Sequence, residues 1–300
     1  MFLENGSLDH FKGKIESKIR LKFGNRLNMT KHQEKTHRRH IISISSDIGL
    51  ALANKWLDEG HQVSGTYRTH TLEIEKLVKK GAEIVFCDLT SAASINKSTQ
   101  YLNGLGLWDS LVVAPGSLEP IGMFEDTRFN QWSESVNINF IQQFGLLHGL
   151  LPSRNTQTSL GPLVLFFAGG GVNNAPKSYS AYIISKIASI KMCELLDAEI
   201  IDTRFSIVGP GWVKTKIHEA TLEAVDRAGE NYGRTVEMME SNNWVPMSKI
   251  FEFCDWLINS PRSVIGGRNF SLVNDEWGTK ELDKSLALNK DMYKLRRSGN

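Results

Sequence analysis

From residue 41 onward, short runs rich in β-branched residues alternate with longer stretches whose apolar positions recur at helical spacing. The short runs, at 41–45, 62–67, 83–87, 111–114, 163–167, 204–208 and 269–273, predict seven strands. Between the first two, Ile48, Leu50, Ala51, Ala53, Trp56 and Leu57 fall on one stripe of a helix that Gly60 is placed to end. Residues 71–80 repeat the device, with Gly81 as the stop. Strands separated by helices predict an α/β fold: a doubly wound sheet of about seven parallel strands with helices on both faces.

The two longest helical patterns, 129–151 and 178–202, are apolar over more than one face. One face suits the sheet; the other suits either the same core or a second copy of the chain, as in a homodimer or homotetramer. Residues 216–245 are polar and charged, lie after a Pro-Gly turn and precede a new helix start at Ser248. An insertion after a late strand stands at the carboxyl edge of the sheet, where ligands bind, and is read as a substrate lid.

Composition adds a division of the chain. With 300 residues, 41% of them hydrophobic and 23% charged, the chain is long enough for one large core, and residues 41–300 are read as a single domain. Residues 1–40 carry ten Lys or Arg against four acids and little apolar content, which reads as a disordered basic extension, with a basic docking arm as the other reading. Met29 offers an alternative start. No apolar run of signal-peptide or membrane-spanning length follows Met1, and the acids argue against a transit peptide, so a cytoplasmic location is expected. A net charge of +2 gives no reason to expect nucleic acid or an anionic membrane as partner. Cys87, Cys193 and Cys254 are scattered and odd in number, which argues against a disulfide framework and a metal site. His32, His37 and His40 are read as solvated parts of the basic arm.

Two stretches carry chemistry. The first predicted strand turns into a helix through Ser43-Ile44-Ser45-Ser46-Asp47-Ile48-Gly49, and a helix N-terminus offers free N–H groups and a positive dipole end to a phosphate. The second is Ser180-Ala181-Tyr182-Ile183-Ile184-Ser185-Lys186. Tyr and Lys four apart lie one above the other on a helix, where an ammonium favours phenolate and is expected to lower the phenol pKa toward useful acid–base strength.

With these motifs in order, residues 41–275 resemble the short-chain dehydrogenase/reductase family. The resemblance implies a Rossmann-type domain that binds NADP or NAD, with Tyr182, Lys186 and Asn139 as catalytic residues; Asn139 follows Trp132 at the family's interval of seven. Matched to the family's glycine-rich turn, Ser43, Ser45, Ser46, Ile48 and Gly49 face the cofactor, although Ser43 and Asp47 stand where two glycines are usual. A carboxylate ~5 Å from a phosphate costs roughly 3 kcal/mol at an effective dielectric near 20, so Asp47 is expected to weaken binding unless it serves only as the helix N-cap. Arg68 is implied at the adenosine ribose, where it suits the 2′-phosphate of NADP. Asp88 and Leu89 match the adenine-binding pair, and Ala114 and Gly116 the turn after the fourth strand. Pro210, Gly211, Val213 and Thr215 match the loop that meets the nicotinamide.

The family's substrate-orienting Ser has no counterpart in 167–174, so Gly169, Gly170, Asn173 and Asn174 are expected to hold the substrate oxygen through backbone N–H or side-chain amide, and a Ser restored at 168 or 169 is expected to be tolerated. The implied reaction is hydride transfer between nicotinamide and a carbonyl or alcohol carbon; the alternative is a dinucleotide-binding sensor or scaffold of low activity. The tail at 277–297 resembles members tied to surface-sugar pathways, which hints at a sugar-related substrate.

Overall fold

The computed structural model describes residues 36–241 and 243–297. Seven parallel strands form one sheet in the order β3-β2-β1-β4-β5-β6-β7: β1 (Arg38–Ile42), β2 (Gln62–Tyr67), β3 (Glu83–Phe86), β4 (Ser110–Val113), β5 (Leu163–Phe167), β6 (Arg204–Gly209) and β7 (Arg268–Ser271). Successive side chains of a strand point to opposite faces, and the apolar runs divide accordingly. Ile41, Val112, Leu163 and Leu165 enter the core on one face, together with Leu52, Ala53 and Trp56 of α1 (Asp47–Asp58). Ile42, Leu111, Val113, Val164 and Phe166 enter the core on the other face. There they meet Leu102 of α3 (Ala92–Gly104) and the apolar side of the helices that follow β4 and β5. Strands apolar on both faces need helices on both, and α2 (Leu72–Lys79) packs in the same layer as α1.

β1 begins three residues before the run that predicted it, which corrects the boundary of the basic arm at its inner end. Arg39 and His40 are buried: Arg39 lies over the Trp56 ring at 4.6 Å, and His40 Nδ1 meets Ser64 Oγ at 2.7 Å. His40 is therefore a core residue rather than a solvated one, and burial beside Arg38 holds its pKa down at about 3. The expectations for residues 1–35, including Met29 and His32, lie outside the described residues.

The single helix expected over 129–151 is interrupted. α4 (Phe129–Val136) passes through a π turn (Asn137–Ile141) into α5 (Gln142–Leu150). After β5 comes α6 (Ser180–Glu199), and after β6 the proposed lid folds as two short helices, α7 (Glu219–Ala224) and α8 (Glu230–Glu240). α9 (Met247–Asn259) and the short α10 (Arg262–Ile265) lead to β7, and α11 (Lys280–Leu288) closes the domain. Among the described residues no helix is long and apolar enough to cross a membrane.

Candidate active site

The strand order reverses between β1 and β4, and the loops at the carboxyl ends diverge there to leave a cleft. A cavity of about 990 Å3 occupies it, bounded by residues at or just beyond the carboxyl ends of all seven strands. Eighteen of the residues singled out from sequence line it: Ser43, Ser45, Ser46, Ile48, Arg68, Asp88, Leu89, Ala114, Gly116, Gly169, Gly170, Asn174, Tyr182, Lys186, Pro210, Gly211, Val213 and Thr215.

Three do not line it. Asn173 is exposed outside the cavity, so of the two loop asparagines Asn174 alone borders it. Gly49 is required by packing, because a Cβ there would come within 2.5 Å of the Ser43 carbonyl oxygen. Asn139 is buried beneath the floor, and its amide is consumed by structure: Oδ1 accepts the Ser117 N–H at 2.9 Å, while Nδ2 donates to Ser117 O at 2.9 Å and Ser135 Oγ at 3.1 Å. These bonds fasten the π turn to the loop after β4; the side chain itself does not reach the cleft.

The first turn explains how serine stands where a glycine is usual. Ser43 adopts φ +61°, a left-handed conformation that disfavours a side chain by roughly 1–2 kcal/mol, and its N–H is anchored on Thr66 Oγ1 at 3.0 Å. Ser46, not Asp47, caps α1, accepting the Gly49 N–H at 3.1 Å. Asp47 instead reaches across the cleft mouth, and its Oδ2 accepts the backbone N–H of Lys216 at 2.7 Å. Asp88 accepts the Thr90 N–H at 2.9 Å, and that bond holds its pKa below the usual value.

At the other end, Tyr182 and Lys186 share one face of α6 and line the cavity together, with the ammonium 5.6 Å from the centre of the phenol ring. Lys186 Nζ donates to Pro115 O at 3.3 Å. A residue the sequence reading missed shares that carbonyl: Gln143, nearly buried on α5, donates from Nε2 to Pro115 O at 3.4 Å and to Ile138 O at 3.2 Å. Its signal is a polar residue one turn beyond Asn139 in an apolar helix.

The electrostatics run against the expectation that Lys186 lowers the Tyr182 pKa. Burial dominates, pushing the phenol up to about 12 and the ammonium down to about 8. At neutral pH the pair is therefore a protonated phenol beside a charged but easily neutralised ammonium. The glycine-rich loop presses on the ring from one side: a Cβ at Gly169 would lie 2.7 Å from Cε1 and 2.9 Å from the phenol oxygen of Tyr182. A serine at position 169 therefore requires the end of the Tyr182 side chain to shift. Position 170 has open space instead. None of residues 277–297 lines the cavity; Trp277, Met292 and Tyr293 of that tail pack on the core.

A parallel sheet in this order, with its cleft at the strand reversal, defines a Rossmann-type α/β protein. A family model described as enoyl-(acyl carrier protein) reductase matches residues 43–272. An uncharacterized oxidoreductase of Schizosaccharomyces pombe is 29% identical over 228 residues, covering 73% of this chain and 90% of its own. A short-chain dehydrogenase/reductase crystal structure from Saccharomyces cerevisiae superposes with a TM-score of 0.70 at 25% identity, covering 80% of this chain and 97% of its own. The actinorhodin polyketide ketoreductase solved with NADPH gives a TM-score of 0.68 at 19% identity, covering 80% and 98%, and at that identity speaks for the fold. The chain belongs to the short-chain dehydrogenase/reductase family, whose members are NAD(P)-dependent oxidoreductases.

Proposed function

We propose that the protein is an NADP-dependent carbonyl reductase in which Tyr182 and Lys186 handle the proton. The observation that carries this reading is the meeting of Tyr182, Lys186 and the Gly169 backbone at one end of the cavity whose other end holds Arg68 and the first turn.

The residues present fit a dinucleotide. Ser43, Ser45 and Ser46 offer hydroxyls at the amino end of α1, where the helix dipole favours phosphate. Gly116 keeps the middle of the cleft open: a Cβ there would stand 3.5 Å from Ile217 and 3.8 Å from Tyr182. Arg68 supplies a planar fork for a 2′-phosphate at the end of β2. The nicotinamide, when bound, supplies the hydride.

The chain's own part is proton transfer and positioning. Tyr182, protonated at neutral pH, donates from its hydroxyl to the substrate oxygen as negative charge develops there. Lys186 steadies the phenolate so formed and is placed for the ribose, held meanwhile by the carbonyl that Gln143 also engages. Gly170, one residue beyond the glycine that meets the ring, lines the cavity in open space and can present backbone N–H to that oxygen. The helices α7 and α8 serve as the lid, and the exposed Phe129, Ile141 and Ile184 on α4 to α6 support self-association into a homodimer. A monomer in sedimentation of the full chain would contradict the dimer.

Fluorescence titration tests the cofactor assignment. Wild type is expected to bind NADPH at least tenfold more tightly than NADH, and Arg68→Ala to bring the two together. Equal affinities in wild type would overturn the choice of NADP.

A further inference from the structure

We propose that the substrate carries an anionic group, a carboxylate or phosphate, which Arg234 binds at the lid end of the cavity; this rests on the carbonyl-reductase reading above. The first ground is the distribution of charge. Asp47 and Asp88 are the only acids among the described residues that line the cavity, and both stand at the first-turn and β3 end. The lid itself is rich in acids, with Glu219, Glu223, Asp226, Glu230, Glu237 and Glu240, yet none of these lines the cavity, whereas Arg234 does.

The second ground is how Arg234 is held. Its guanidinium lies over the Trp212 ring, 5.6 Å from the centroid, which leaves the in-plane N–H donors to other partners. Among the described residues it has no salt bridge and no hydrogen bond. Arg234 is exposed at the end of the cleft where no carboxylate lines the wall, and its charge and free donors suit an anion.

The third ground is its relation to the reacting end. Ile217 stands beside Gly116 and thus near Tyr182, and its neighbour His218 stacks on Trp212 with centroids 4.9 Å apart and planes at 15°. His218 is fixed by its Nε2 contact with Val213 O at 3.0 Å, and burial lowers its pKa, so it adds a flat neutral surface rather than a charge. Ile217, His218 and Trp212 thus give this wall an apolar and aromatic strip, beside the polar Thr221, Asn231 and Thr235, and the strip fits a planar or apolar spacer between the carbonyl and the anion.

The test uses the full chain with NADPH and three probes: para-acetylbenzoate, its neutral methyl ester, and para-acetylphenyl phosphate. Wild type is expected to reduce the better of the two anions with a kcat/KM about ten- to a hundredfold above the ester, the range of one charge-assisted contact. In Arg234→Met that ratio should fall toward one, and Arg234→Lys should restore part of it. The benzoate and phosphate arms tell which anion the site takes. Reduction of the ester as efficiently as both anions, or an anion preference that persists in Arg234→Met, overturns the inference while leaving the reductase reading intact. No reduction of any of the three counts against both.

Discussion

Gly169 and Gly170 show how differently two adjacent glycines can serve one site. The first lies against the Tyr182 ring, where even a methyl group would meet Cε1 at 2.7 Å; the second faces open space. Gly169→Ala should therefore lower kcat at least a hundredfold by displacing the phenol, whereas Gly170→Ser should retain activity within about tenfold of wild type, and steady-state kinetics on any accepted carbonyl separates them. Equal effects would mean that Tyr182 is not braced by this loop. The Tyr182–Lys186 pair is legible in sequence because helical spacing puts the two on one face and the pair follows a predicted strand and a glycine-rich turn. The direction of their pKa shifts was not, since burial of the phenol depends on Gly169 and Gly116, which are distant in the chain. Asp47 likewise resembled a helix cap because its true partner, the N–H of Lys216, is 169 residues away.

At the scale of elements, apolar runs located all seven strands, most directly the central ones, which are buried on both faces and write their length into the sequence. β1 is the exception at its start. Arg39 and His40 read as surface residues, and they are buried only because Trp56 and Ser64 receive them. That burial has a measurable consequence. A His whose folded pKa is depressed binds fewer protons folded than unfolded between pH 6.5 and about 3, so stability is lost as pH falls through that window, by up to about 5 kcal/mol when complete. Urea denaturation at neutral and acid pH should show His40→Gln losing less stability than wild type over pH 6.5 to 4; an equal loss would mean that His40 is not the acid-sensitive group. The π turn was invisible for a related reason: it is set by Asn139 bonding the Ser117 backbone, and no local periodicity encodes that bond.

At the scale of the molecule, the proposed function assigns cofactor binding to one end of the cleft and reaction to the other, and the segment 216–245 borders the cleft through Lys216 and Arg234. The central claim is that Tyr182 supplies the proton. Turnover of Tyr182→Phe with saturating NADPH, on a carbonyl that wild type reduces, tests it most directly. The substitution removes one hydroxyl and keeps the ring that packs on Gly169, so NADPH affinity should stay within a few fold while kcat falls by about a hundredfold or more. Wild-type kcat in Tyr182→Phe would contradict the account.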